Sequence, residues 1–181
     1  MSRNVQLVLL CEDSRHETFA RRFLKRAGWS TRRLRVEPLS QGRGSAEQRV
    51  RERFPIELSS YRSTRRYVDQ ALIVVVDGDN RGVSGRLRQL AEACQSKGVP
   101  PRKDAERVAV FVPTWNIETW LAYLDGESVD ESRGDYPELA RPRDCQRHVD
   151  RLHQMCEQGE LRKPSPPSLE AACAEYRARL Q

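Results

Sequence analysis

Ala71-Leu72-Ile73-Val74-Val75-Val76-Asp77-Gly78-Asp79-Asn80 is the stretch on which the fold turns. Six apolar residues in succession suit a strand covered on both faces, as in a parallel sheet. Two acids follow with no spacer, where such a strand would end. Working outward, Val5–Cys11 is another nearly continuous apolar run. Leu34–Leu39 reads as a strand decorated with arginine and nearer an edge. Val108–Val112 reads as a fourth strand, stopped by Pro113.

Helical patterns fill the gaps. Ser14-Arg15-His16-Glu17 has capping-box form, with Asp13 as a further cap candidate, and Phe19, Phe23 and Leu24 make an apolar stripe ending at Gly28. Ser45 to Gln48 opens a second helix, reaching to about Tyr61, which Pro55 is expected to kink or split. An Arg- and Leu-rich helix spans about Ser84 to Lys97. Asn116 is placed to cap a helix carrying Ile117, Trp120, Leu121 and Leu124. Beyond it lie a polar, acidic loop over Gly126–Arg143, helical spacing over Asp144–Glu157, a Pro-rich break at Lys163–Pro167 and a capped terminal helix over Ser168–Leu180. The alternation predicts an α/β fold: a mainly parallel four-stranded, Rossmann-like sheet flanked by helices, with a C-terminal helical extension. Residues 1–125 form the expected core and residues 126–181 pack on it, as a single domain overall.

The chain has 181 residues and a net charge of +6. No apolar stretch approaches the roughly 18–20 residues that span a bilayer, so a membrane protein is excluded at this level. Charge is uneven: Met1–Arg66 carries 16 Lys+Arg against 7 Asp+Glu, and Tyr67–Gln181 carries 16 against 19. A basic half of this kind suits a polyanion such as DNA or RNA. The five cysteines include no C-x-x-C pair, which argues against a disulfide framework or a structural zinc site. With no signal-peptide pattern at the N-terminus, a cytoplasmic location is expected.

In open α/β sheets, ligands bind beyond the carboxyl ends of the strands. Glu12, Asp77 and Asp79 fall at such ends, and Glu118 follows the fourth strand closely. Clustered carboxylates repel one another unless a cation neutralises them. Hard oxygen donors of this kind suit Mg²⁺ or Mn²⁺. Arg15, Arg22, Arg43 and Arg81 are candidate phosphate contacts, and His16 lies near the same edge. The glycines at 42 and 44 are not followed by G-K-[ST], so no phosphate loop is present.

Leu9-Leu10-Cys11-Glu12 before a capped helix, with Val75-Val76-Asp77-Gly78-Asp79 later, resembles the TOPRIM fold of topoisomerases, bacterial primases and OLD-type nucleases. The match is a Glu after the first strand and an Asp-x-Asp after a later one. Val112-Pro113-Thr114-Trp115-Asn116-Ile117-Glu118-Thr119-Trp120-Leu121 is similar to the "IE-x-W-L" stretch of small TOPRIM-like proteins, some of them from phage-defence settings. The resemblance spans roughly residues 5–125. Asp13 stands where many members have Gly. The resemblance implies metal-dependent hydrolysis of phosphodiester bonds, with Glu12, Asp77 and Asp79 as catalytic and metal-binding residues; Glu118 reads either as a helix-start acid or as an added ligand. Glu12 would be a general base or acid. No separate domain is expected to present a nucleophilic tyrosine, so hydrolysis is favoured over strand passage.

Two other readings stand beside it. An Asp-x-Asp after a strand also resembles haloacid-dehalogenase-type phosphohydrolases, with Asp77 as nucleophile. The third reading is a non-catalytic nucleic-acid-binding or adaptor subunit, its acidic tail docking on a partner ATPase.

Overall fold

The computed structural model describes residues 5–39 and 46–181. Four strands, β1 (Gln6–Cys11), β2 (Leu34–Val36), β3 (Gln70–Val75) and β4 (Val108–Phe111), form one sheet in the order β2-β1-β3-β4. Every pairing is parallel, with Gln6 opposite Gln70 and Leu72 opposite Val108. Among the described residues, six helices flank the sheet: α1 (Ser14–Arg26), α2 (Ala46–Thr64), α3 (Gly82–Ser96), α4 (Ile117–Leu124), α5 (Gln146–Gln158) and α6 (Pro167–Leu180). This is the α/β architecture expected from the apolar runs.

Strand periodicity sorts the core into two layers. Leu7, Leu9, Ile73, Val75 and Ala109 face α1, α4, α5 and α6. Their neighbours Val8, Leu10, Leu72, Val74 and Val110 face α2 and α3. From β1 the chain first steps to β2 on one side, over α1. It then returns past β1 to β3, over α2 on the opposite face. The direction of winding therefore reverses between β1 and β3. A crevice opens at such a switch point, beyond the carboxyl ends of the two strands.

Local chemistry differs from expectation at several places. Of the two cap candidates for α1, Asp13 serves as expected of it and Ser14 does not: the Asp13 Oδ1 accepts the Arg15 and His16 amides, both at 2.9 Å. Glu17 instead accepts a hydrogen bond from Arg21 one turn on. Pro55 lies inside α2, yet the helix runs unsplit for 19 residues. Val50, Phe54, Leu58 and Tyr61 bury its inner face on the sheet, which offsets the bond that proline forfeits. Ser45, the expected opener of α2, and the loop with Arg43 lie outside the described residues. Strand β2 stops at Val36. Glu37 still donates its amide to Leu9, but Pro38 has no amide to continue the ladder.

The cysteine expectation is corrected too. Cys156 on α5 and Cys173 on α6 form a disulfide, while Cys11, Cys94 and Cys145 are free and buried. Spacing rules for C-x-x-C do not see a pair brought together across a turn between packed helices. Among the described residues, no helix is long and apolar enough to cross a membrane.

Candidate functional site

The switch point brings three acids together. Glu12 follows β1 directly, and its Oε1 accepts the Asp77 amide at 2.6 Å. Asp77 and Asp79 follow β3, whose pairing with the β4 side continues past the strand proper. Val76 donates to Phe111, and Gly78 donates to Pro113 at 2.7 Å. A β-carbon on Gly78 would lie 3.0 Å from the Pro113 carbonyl oxygen and 3.3 Å from Thr114 Cα. Glycine is thus required here by a close backbone approach rather than by turn geometry alone.

Asp79 and Trp115 then exchange both backbone hydrogen bonds, at 3.2 and 3.3 Å, as an isolated antiparallel bridge. Both adopt positive φ, 45° and 63°. For a bulky aromatic residue this is a rare conformation, of order 1–3 kcal/mol in strain, and such outliers concentrate at functional sites. Trp115 leans on Gly134, where a β-carbon would meet its Cβ, Cδ2 and Cε3 at 3.1 Å. Asn116 Nδ2 donates to the Gly134 carbonyl at 3.1 Å and makes no capping bond to α4.

Two buried bases hold the acids. His16 is 1% exposed and its Nε2 lies 3.0 Å from Asp77 Oδ1. Burial alone would depress its basicity, but the charge and hydrogen bond of Asp77 win and raise its pKa to about 9. Arg86 is 2% exposed. Its Nε donates to the Asp77 carbonyl and its Nη2 to Asp79 Oδ2, both at 2.8 Å, and its Nη1 reaches Glu47. Burial, and then the charge of Asp77, push Glu12 up to about 7. Asp79 is also raised by burial, despite the opposing charge of Arg86. Glu118 is 3% exposed and raised, again by burial first, though Arg15 Nη1 donates to it at 3.2 Å.

The nucleic-acid contacts expected from sequence fare unevenly. Arg15 is engaged by Glu118 and Glu138, and Arg22 donates to Gln146 on α5. His16 has no exposed side-chain surface with which to meet a substrate. Arg43 is outside the described residues. Of the four described candidates, Arg81 is exposed and makes no side-chain hydrogen bond or ion pair among the described residues. Sequence reading missed Arg86 and assigned His16 the wrong surroundings. A signal existed for both. His16 is in phase with the buried Phe19, Ala20, Phe23 and Leu24, and Arg86 with the buried Leu90 and Cys94.

The donor set has the chemistry a divalent cation wants: hard carboxylate oxygens whose mutual repulsion a cation would relieve. One oxygen each of Glu12, Asp77 and Asp79 is engaged, by the Asp77 amide, His16 and Arg86. The second oxygen of each makes no hydrogen bond among the described residues. In this arrangement, however, no group of three or more His, Cys, Asp or Glu side chains among the described residues surrounds one point as a complete metal site. The acids therefore suit a cation chemically, while Arg86 and His16 supply positive charge from within the chain. No protein-family model matches this sequence, and no match to it is found among curated proteins or solved structures.

Proposed function

We propose that this chain is a divalent-cation-dependent nuclease that hydrolyses phosphodiester bonds of DNA or RNA at the crevice between β1 and β3. The observation that carries this reading is the meeting of Glu12 with Asp77 and Asp79 at the topological switch point of a parallel sheet. Asp77 and Asp79 would hold Mg²⁺ or Mn²⁺, with Glu12 and Glu118 as further donors. The cation would polarise the phosphate and offset the charge of the transition state. Glu12, held against Asp77 through the Asp77 amide, would accept a proton from the attacking water. His16 orients Asp77, and Arg86 fixes the backbone that carries both aspartates. Arg81, next to the acids and without a partner among the described residues, is free to meet a phosphate oxygen.

The test is cleavage of single- and double-stranded DNA and RNA with and without Mg²⁺ and Mn²⁺. Cleavage should require a cation and fall at least about 100-fold in Asp77→Ala and Glu12→Gln. Undiminished cleavage in both variants would sink the reading. The engagement of Asp77 by His16 and of Asp79 by Arg86 favours one rival, a non-catalytic nucleic-acid-binding or adaptor subunit. That rival predicts salt-sensitive binding, no cleavage with either cation, and co-purification with a partner such as an ATPase.

A further inference from the structure

The arrangement around Trp115 has more to it than the nuclease reading uses. Trp29 and Trp120 are each 3% exposed and belong to the core. Trp115 is partly exposed, is absent from both core layers, and makes no side-chain hydrogen bond among the described residues. Three devices nevertheless hold it in place: its left-handed backbone, its two-bond bridge to Asp79, and the Gly134 backbone against its ring. Asn116 fixes that Gly134 segment in turn. The bridge brings the Trp115 backbone directly beside that of Asp79, whose carboxylate is 58% exposed. A core role does not account for a strained tryptophan left partly in water beside an acid cluster.

We propose that Trp115 is a base-stacking platform, which receives an unpaired nucleobase of single-stranded DNA or RNA beside the carboxylates of Asp77 and Asp79. The proposal rests on the nuclease reading and adds to it the strand state of the substrate. Every nucleobase has a π-face, so an exposed indole takes any base with little sequence preference. In a duplex those faces are covered by neighbouring base pairs, and extruding a base costs free energy. Arg81, two residues from Asp79 and exposed, supplies a cation for the adjoining phosphate. An aromatic face combined with a cation for the backbone is the pairing that single-strand sites use.

The experiment is equilibrium binding by fluorescence anisotropy with cations chelated, so that nothing turns over. The probes are an oligothymidylate of about 12 nucleotides, the matching oligouridylate, an abasic strand with the same phosphates, and a duplex. Wild-type protein should prefer a base-bearing single strand over the abasic one by about 10- to 100-fold. The thymidylate and uridylate arms show whether DNA or RNA supplies the base. Trp115→Ala should erase the preference while leaving abasic affinity unchanged, and Trp115→Phe, which keeps an aromatic face, should retain most of it. Thermal melting of both variants confirms that they fold. Retention of the preference in Trp115→Ala overturns the platform. So does a wild type that cleaves but binds base-bearing and abasic strands alike. A wild type that neither binds nor cleaves any strand instead removes the nuclease reading, and the platform with it.

Discussion

Gly78 shows how tightly single residues set this site. Its α-carbon is pressed between the ends of two strands, with the Pro113 oxygen 3.0 Å from where a β-carbon would stand. Gly78→Ala should cost about 1–3 kcal/mol, read as a fall in the urea midpoint at constant slope, and should move Asp77 and Asp79 with it. An unchanged midpoint would mean that the strand ends can separate freely. Glu106 is a second such residue, far from the acids. It is 2% exposed and accepts from Arg62 Nε at 2.7 Å, Arg62 Nη2 at 3.0 Å and the Lys103 amide at 2.7 Å. Burial would raise its pKa, but these donors outweigh burial and hold it below the ordinary carboxylate value. A carboxyl depressed in the folded state stabilises fully above its unfolded pKa of about 4.3, and that stabilisation is lost as pH falls through the folded value. Glu106→Gln should therefore lose about 2 kcal/mol near neutral pH and show a flatter stability profile on acidification. Denaturation of both proteins across roughly pH 3–7 reads this out.

At the scale of elements, apolar runs made the four strands legible, because a strand covered on both faces must be apolar throughout. Helix ends were less legible, since what terminates a helix is often distant in sequence. α6 is an example: its first turn is capped from the acidic loop, where Glu131 accepts from the Ser168 amide and hydroxyl. Trp120 Nε1 donates to that same hydroxyl at 2.8 Å. No local pattern reveals a cap 37 residues away. Glu131→Ala should destabilise the protein by about 1 kcal/mol, with the loss visible as faster amide exchange in the first turn of α6. Exchange unchanged there would mean that Glu131 does not hold the first turn. The acids were legible because they follow strands directly. Their partners were not, because a buried histidine or arginine looks in sequence like any polar residue on a helix.

For the whole molecule, charge asymmetry reads differently once folded. Several arginines of the basic half are consumed internally: Arg21 by Glu17, Arg26 by Asp150, Arg53 by Glu37 and Glu57, Arg62 by Glu106. The number of arginines open to a polyanion is thus smaller than the 16 Lys+Arg of that half imply. The disulfide acts at this scale as well. It closes a segment of 17 residues between α5 and α6, and a loop of that size removes about 3 kcal/mol of unfolded-state freedom. Thiol titration in denaturant should count three free thiols before reduction and five after. A dithiol reductant should lower stability by about that 3 kcal/mol. Five thiols in untreated protein would show that the bridge does not form.

The reversal of winding between β1 and β3 also sets the order in which the site can come into being. β1 meets its inner neighbour only when Gln70 reaches Gln6, after α1, β2 and α2 have all been threaded. Local contacts form early in folding, and pairings distant in sequence come late. Until that pairing closes, Glu12 has no Asp77 amide to accept. The acidic crevice is therefore among the last things the chain completes. During synthesis, a ribosome would release β1 and α1 well before anything resembling the crevice exists.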